Sequence, residues 1–213
     1  MGLFVKKIAE DNKPAYTLSL GKTLLVVGLG NPGKEYDGTR HNIGFAVLDA
    51  FAAANDFPEF MSKKDLKSSF SSLQMGENRV ICIKPTTFMN FSGEAVRAVM
   101  DFYKISTDNL IVVHDELDIP FGQIRTRTGG SSAGHNGLKS LIQHLGEDFG
   151  RIRIGIRNDI AEKADSADFV LGKFDKDEKE QMPVLIREAS NIVTEWIYGG
   201  QKLPAETRSI IAE

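Results

Sequence analysis

A chain of 213 residues, 41% hydrophobic and 26% charged, can bury a full core, and it shows no internal repeat or low-complexity tract. Its net charge of −3 argues against a uniformly nucleic-acid-binding surface, its one cysteine rules out a disulfide within the chain, and no stretch approaches the ~18 apolar residues that cross a bilayer. With no apolar run among the first twenty residues, the expected location is the cytoplasm, with no membrane partner.

In chain order, strands are expected at 15–20 and 23–28, the second built on the run Leu24-Leu-Val-Val27. It ends in the bend Gly28-Leu-Gly-Asn-Pro-Gly33, and a helix is expected at 41–55. Two familiar motifs nearly fit this bend. Its glycines match a dinucleotide fingerprint, but Pro32 and the irregular run to Thr39 delay the helix that should receive a pyrophosphate. Gly28 to Lys34 also has P-loop spacing, but Glu35 stands where a hydroxyl would hold magnesium. A plain tight turn explains the glycines and leaves Asn31, Arg40, His41 and Asn42 unexplained. An imidazole at the carboxyl edge of a sheet occupies the usual place for a site in an open α/β fold.

Strands at 68–74 and 79–84 are joined by a hairpin turn at Met75-Gly-Glu-Asn78, with Cys82 a buried strand residue. Phe88, Met89 and Asn90 follow at the strand end, and Ser92 is placed to cap a helix over 92–103. A strand at 110–114 delivers Asp115-Glu-Leu-Asp118 to the same edge; His114 reads as a packed core histidine. A strand at 123–127 precedes the loop Gly129-Gly-Ser-Ser-Ala-Gly134 and a helix over 134–145, whose first N–H groups, near His135 and Asn136, can receive a phosphate or carbonyl oxygen. His144 reads as a surface residue. After a strand at 151–157, a helix from about 177 to 198 repeats apolar residues from Met182 to Ile197 on one face, with Pro183 marking a kink or its first turn, and serves as a lid or flank. The fold class is α/β: a three-layer single domain with a mixed twisted β-sheet flanked by helices.

Four separate segments therefore send Asn31 and His41, Asn90, Asp115, and His135 with Asn136 towards one place. Histidines and an aspartate can form a metal triad, but no His-x-x-x-His or His-x-x-Glu spacing occurs and amides outnumber good ligands, so neither metal nor cofactor is expected. Residues 122–157 carry a local net charge of +4 and residues 158–180 a local net of −4. A basic face on an acidic protein suits a polyanion that is bound briefly and released.

Gly28-Leu-Gly-Asn-Pro-Gly33 with Tyr36, Thr39-Arg-His-Asn-Ile-Gly44, Lys84-Pro-Thr-Thr-Phe-Met-Asn90, His114-Asp-Glu-Leu-Asp118, Gly134-His-Asn-Gly-Leu138 and Arg153-Ile-Gly-Ile156 resemble, in order, the motifs of bacterial-type peptidyl-tRNA hydrolases. The resemblance runs from about Leu24 to Gly200. Residues 1–21 form an extension before the family's usual start, and 22–213 the domain. The resemblance implies a monomeric, metal-free hydrolase whose partner is peptidyl-tRNA, which it splits to recycle tRNA from stalled translation. It implies His41 as catalytic base, Asp115 as the carboxylate that orients it, and Asn31 as a site amide. Tyr36, Phe88, Met89, Asn90, His135 and Asn136 would bind substrate, with Phe88 and Met89 as apolar walls. Arg125 and Arg127, where the family often has lysines, would join Arg153 on tRNA phosphates. The loop serines at 131 and 132 depart from the family's glycine and histidine. A non-catalytic RNA-binding relative would not need the intact His41, Asp115, Asn31 and Asn90, and an esterase for small acyl groups would not need the arginines.

Overall fold

The computed structural model describes residues 21–161 and 165–210. The strand expected at 15–20, and most of the N-terminal extension, lie outside the described residues. Eight strands form one sheet: β1 (Thr23–Gly28), β2 (Met61–Lys63), β3 (Ser68–Met75), β4 (Asn78–Pro85), β5 (Leu110–Pro120), β6 (Gln123–Thr128), β7 (Gly150–Arg157) and β8 (Glu206–Ser209), in the order β2-β3-β4-β1-β5-β7-β6-β8. The middle four, β4, β1, β5 and β7, are parallel, and antiparallel strands finish both sides.

Helices on both faces account for the sequence of β1. A strand covered on both sides needs apolar residues at every position, not alternate ones. Leu24 and Val26 enter one core with Val47 and Phe51 of α1 (Ile43–Ala54). Leu25 and Val27 enter the other with Val96 and Val99 of α2 (Ser92–Tyr103) and Leu138 and Leu141 of α3 (Asn136–Leu145). The first core is completed by Leu185, Ala189, Ile192, Val193 and Trp196 of α5 (Lys176–Tyr198), so the last helix is a flank of the sheet. A short α4 (Ser166–Leu171) precedes it. Helix α1 rides directly on β1 because Gly28 faces Gly44: a Cβ on Gly28 would meet the Gly44 carbonyl oxygen at 2.3 Å, and one on Gly44 would meet the Val113 oxygen at 2.4 Å.

Several boundaries differ from expectation for physical reasons. β5 runs on to Pro120 because Asp115 and Glu116 stay paired with Ile154 and Gly155 of β7, so these acids stand within the strand and not after it. A 3-10 turn, Arg40–Asn42, precedes α1, so His41 leads into the helix without belonging to it. Ser92 is the first residue of α2 and makes no cap; its hydroxyl faces the Met89 sulfur at 4.0 Å. α5 begins at Lys176, where Asp175 and Glu178 form a reciprocal capping box, and runs straight through Pro183, its eighth residue. Short β2, β8 and α4 were not expected at all. His114 is fully buried, as expected, whereas His144 is half-buried with Nδ1 against the Ser140 carbonyl at 2.8 Å.

Candidate active site

The parallel strands β1, β4 and β5 end on the same side of the sheet, and the site is assembled there. Beyond β1, the Leu29 N–H donates to the Val113 carbonyl at 2.9 Å, which holds the glycine-rich bend against β5. Asn42 then fixes Asn31, two residues on from Leu29, through both of its backbone groups. Its Oδ1 accepts from the Asn31 backbone N–H at 2.8 Å, and its Nδ2 donates to the Asn31 carbonyl at 2.9 Å. The Asn31 side chain, 8% exposed, accepts the Met89 N–H at 2.8 Å through Oδ1, tying the bend after β1 to the loop after β4. Its amide NH₂ makes no hydrogen bond to the described residues and remains a donor.

Between Asn31 and Asn42 lies His41, 7% exposed, with Nδ1 at 2.9 and 3.0 Å from the two carboxylate oxygens of Asp115. His135 approaches the same carboxylate from the N-cap of α3, with Nε2 3.0 Å from Oδ1. The His135 Nδ1 accepts the Leu138 N–H at 3.3 Å, so the neutral ring carries its proton on Nε2 and donates it to Asp115. By the same logic His41 donates from Nδ1, leaving Nε2 as a lone pair. The His41 and His135 rings lie 4.9 Å apart, and His114 packs edge-on to His135 at 5.0 Å.

Electrostatics reinforce these roles. At His41, burial is the largest influence and disfavours the charged ring, but the Asp115 charge and hydrogen bond outweigh it and raise the pKa above the usual 6.5. At Asp115, burial opposes ionisation, and His41 and His135 together outweigh it, holding the carboxyl well below its usual range. His114, with Nδ1 on the Asp115 carbonyl at 2.7 Å, is held neutral by burial and then by His135.

His41, Asp115 and His135 are also the one group among the described residues placed to hold a metal, with ligand atoms within 4.8 Å of one another. Both imidazole nitrogens that face the carboxylate carry protons in the hydrogen-bonded arrangement, and a cation would require both to be lost. The donor set is thus satisfied as a hydrogen-bonded triad.

A cleft of about 270 Å³ opens at the triad, lined by His41, Asp115, His135 and Asn136 together with Ser166, Ala167 and Val170 of α4. Asn136 is exposed there as the first residue of α3. Tyr36, Phe88, Met89 and Asn90 do not line this cleft; their segment is tied to the site through the Met89 N–H on Asn31. Asn90 is exposed, and Phe88, 53% exposed, meets Tyr36 edge-on at 6.3 Å. Met89 differs from the expected apolar wall: it is 4% exposed and packs in the core, close enough to Gly137 that a Cβ there would come within 2.5 Å of its sulfur. What it offers the site is its backbone N–H.

The arginines separate into two kinds. Arg125 and Arg127 on β6 stand opposite Arg153 and Arg151 on β7, alternating with inward Ile124, Thr126, Ile152 and Ile154. Arg125, Arg127 and Arg153 are half-buried, and Arg153 donates from Nε to Glu116 at 3.0 Å while its terminal nitrogens make no hydrogen bond to the described residues. Arg151 does not belong to an exposed basic face. It is fully buried, stacks on Phe149 at 4.5 Å, and donates to the carbonyls of Ser131 at 2.7 Å and Gly130, stapling the glycine-rich loop. Sequence reasoning also passed over Glu116, which lines the cleft, and gave no role to Arg40 and Asn42, which hold the site's frame from within.

Comparison with known proteins places this geometry in context. A family model described as Peptidyl-tRNA hydrolase matches residues 25–209. The peptidyl-tRNA hydrolase of Shouchella clausii (strain KSM-K16) is 46% identical over 174 residues, covering 81% of this chain and 92% of that protein. That of Clostridium botulinum (strain Alaska E43 / Type E3) is 46% identical over 176 residues, covering 81% and 88%. The crystal structure of peptidyl-tRNA hydrolase from Acinetobacter baumannii superposes with a TM-score of 0.77 at 35% identity, covering 84% of this chain and 90% of that one. With the family match spanning residues 25–209 and a 46% identical relative covering 81% of its length, the chain belongs to the peptidyl-tRNA hydrolase family.

Proposed function

We propose that the chain hydrolyses the ester between the peptide and the 3′ ribose of peptidyl-tRNA, with His41 as general base. The observation that carries this reading is the His41–Asp115 contact, which commits Nδ1 to the carboxylate and leaves Nε2 free at the cleft. Nε2 takes a proton from water as the water oxygen attacks the ester carbonyl, Asp115 stabilises the imidazolium, and the proton then passes to the departing ribose oxygen. No covalent nucleophile is needed. The developing oxyanion requires preorganised donors, for which the free Asn31 amide, Asn90 or a loop N–H is suited.

The exposed Phe88 with Tyr36 supplies a face on which the unpaired terminal adenine can stack. Arg125, Arg127 and Arg153 bind the tRNA backbone. On this reading the protein acts in the cytoplasm as a monomer; no described helix is long and apolar enough to cross a membrane. The experiment is incubation of the purified protein with N-acetyl-aminoacyl-tRNA, free aminoacyl-tRNA and a small acyl ester, with and without chelator. Chelator-insensitive cleavage of the first alone is expected; equal cleavage of all three would overturn the reading.

A further inference from the structure

Helix α4 contributes Ser166, Ala167 and Val170 to the cleft that His41 and Asp115 also line. Six residues are too few for a helix to hold itself in water, so α4 lies where its neighbours fix it. Its inward residue, Phe169, is buried against the Arg40 guanidinium, 4.3 Å from the ring centre, and Phe174 meets the same group at 5.2 Å. That guanidinium also donates to the Lys173 carbonyl at 2.9 Å and to Glu178 at 2.7 Å. The other Glu178 oxygen accepts from Asn158 at 2.7 Å, so residues on both sides of α4 are tied to one ion pair, 5% and 6% exposed.

Arg40 immediately precedes His41, and its backbone N–H donates to the Gly172 carbonyl at 3.0 Å. One residue thus holds both the turn that carries His41 and the helix that supplies Ser166, Ala167 and Val170 to the cleft. Stability alone does not account for it. A buried ion pair, here with Arg40 Nε left unpartnered, gains little over apolar side chains of similar volume. A planar cation that stacks on two rings and donates in two directions does fix relative position.

We propose that Arg40, held by Glu178, is a positioning residue that sets the distance between His41 and the α4 wall, and through it the affinity for acyl groups long enough to reach that wall. The inference rests on the peptidyl-tRNA reading above. The scissile ester sits at His41, so an N-acetyl-aminoacyl group ends close to the base, whereas further peptide residues extend to Ala167 and Val170. Loosening α4 therefore affects the long substrate selectively.

The test measures kcat and KM for N-acetyl-aminoacyl-tRNA and for a tRNA carrying the same residue at the end of a longer peptide. Arg40→Met is expected to raise KM for the long substrate about tenfold and for the short one about twofold, with the two kcat values falling by the same factor. Arg40→Lys, which keeps the charge but not the two-way donation, should fall between. Because removing one partner strands the other, the double variant Arg40→Met with Glu178→Met is measured alongside; it should remain folded and keep the length-selective KM change. Equal KM changes for both substrates, or recovery of wild-type selectivity in the double variant, would overturn the proposal while leaving the hydrolase reading intact. Failure of the wild type to cleave either substrate would overturn both.

Discussion

The cluster around Asp115 and the arginine pairs of β6 and β7 are neighbours, joined through Glu116, yet they treat charge in opposite ways. Asp115 is 2% exposed and receives a hydrogen bond from each of two histidines, so every ring orientation is fixed by a partner. Arg125 and Arg127 are half-buried, and among the described residues each has a buried Nε without a partner and one terminal nitrogen on a neighbouring oxygen at 3.3 Å. Proton transfer needs placement to a few tenths of an ångström, which a closed network supplies. Phosphate binding needs positive charge with bonding capacity left over, which a satisfied network would remove.

That contrast is broken most sharply at His41. With His41 as the proposed base, His41→Ala should lower kcat roughly 10²–10⁴-fold while tRNA affinity stays within a few-fold, because a general base acts only on the transition state. Near wild-type turnover in single-turnover assays would remove His41 from the mechanism. Asp115→Asn should cost roughly 10–10³-fold in kcat, since an amide can favour the wrong tautomer of either histidine without altering shape. The sign of the pH dependence follows from the raised His41 pKa. The base works only when neutral, so kcat/KM should fall about tenfold per unit as pH drops below a value above 6.5, and Asp115→Asn should move that limb to lower pH. An unmoved limb would mean that Asp115 does not set the titration.

At the arginines the effect should be smaller and of another kind. Arg127→Glu or Arg153→Glu should raise KM about tenfold and reduce the slope of log K against log salt by about 1 or more, with kcat little changed. Equal salt slopes in mutant and wild type would show that these side chains do not meet the backbone. The smallest expected change is at Asn136→Ala. Burying a free α-ammonium without a carboxylate partner is costly, whereas a peptide amide needs one donor and one acceptor, which an asparagine supplies. The variant should therefore narrow the rate ratio between N-acetyl-aminoacyl and free aminoacyl tRNA by a few-fold, mainly by slowing the former. An unchanged ratio would place recognition elsewhere, with Asn90 the next residue to test.

What was legible in the sequence divides along similar lines. The apolar run of β1, the hairpin after Met75 and the one-sided spacing of α5 are local patterns, and each produced its element. His41, Asp115 and His135 were legible because strand ends and helix starts converge at one edge of a parallel sheet. Arg40, Glu116 and Arg151 carry no such signal: in sequence an arginine or glutamate reads as surface, and only the partners contributed by distant elements take it inside. β8 was missed because four alternating polar residues become a strand only by pairing with β6. The start of α4 did leave a readable mark in Asp165, whose carboxylate accepts from the Ala167 and Asp168 N–H groups.

The His41–Asp115 contact joins residues 74 positions apart, and β5 reaches its place only after parallel pairing with β1 on one side and β7 on the other. Contacts of such sequence separation are closed late, because the chain entropy of the intervening loop must be surrendered before they form. A nascent or partly refolded chain can hold its helices and the β3–β4 hairpin without yet possessing a base oriented by a carboxylate. On the proposed mechanism, ester hydrolysis therefore waits until the central strands have docked, and the catalytic rate then serves as a chemical gauge of completed topology.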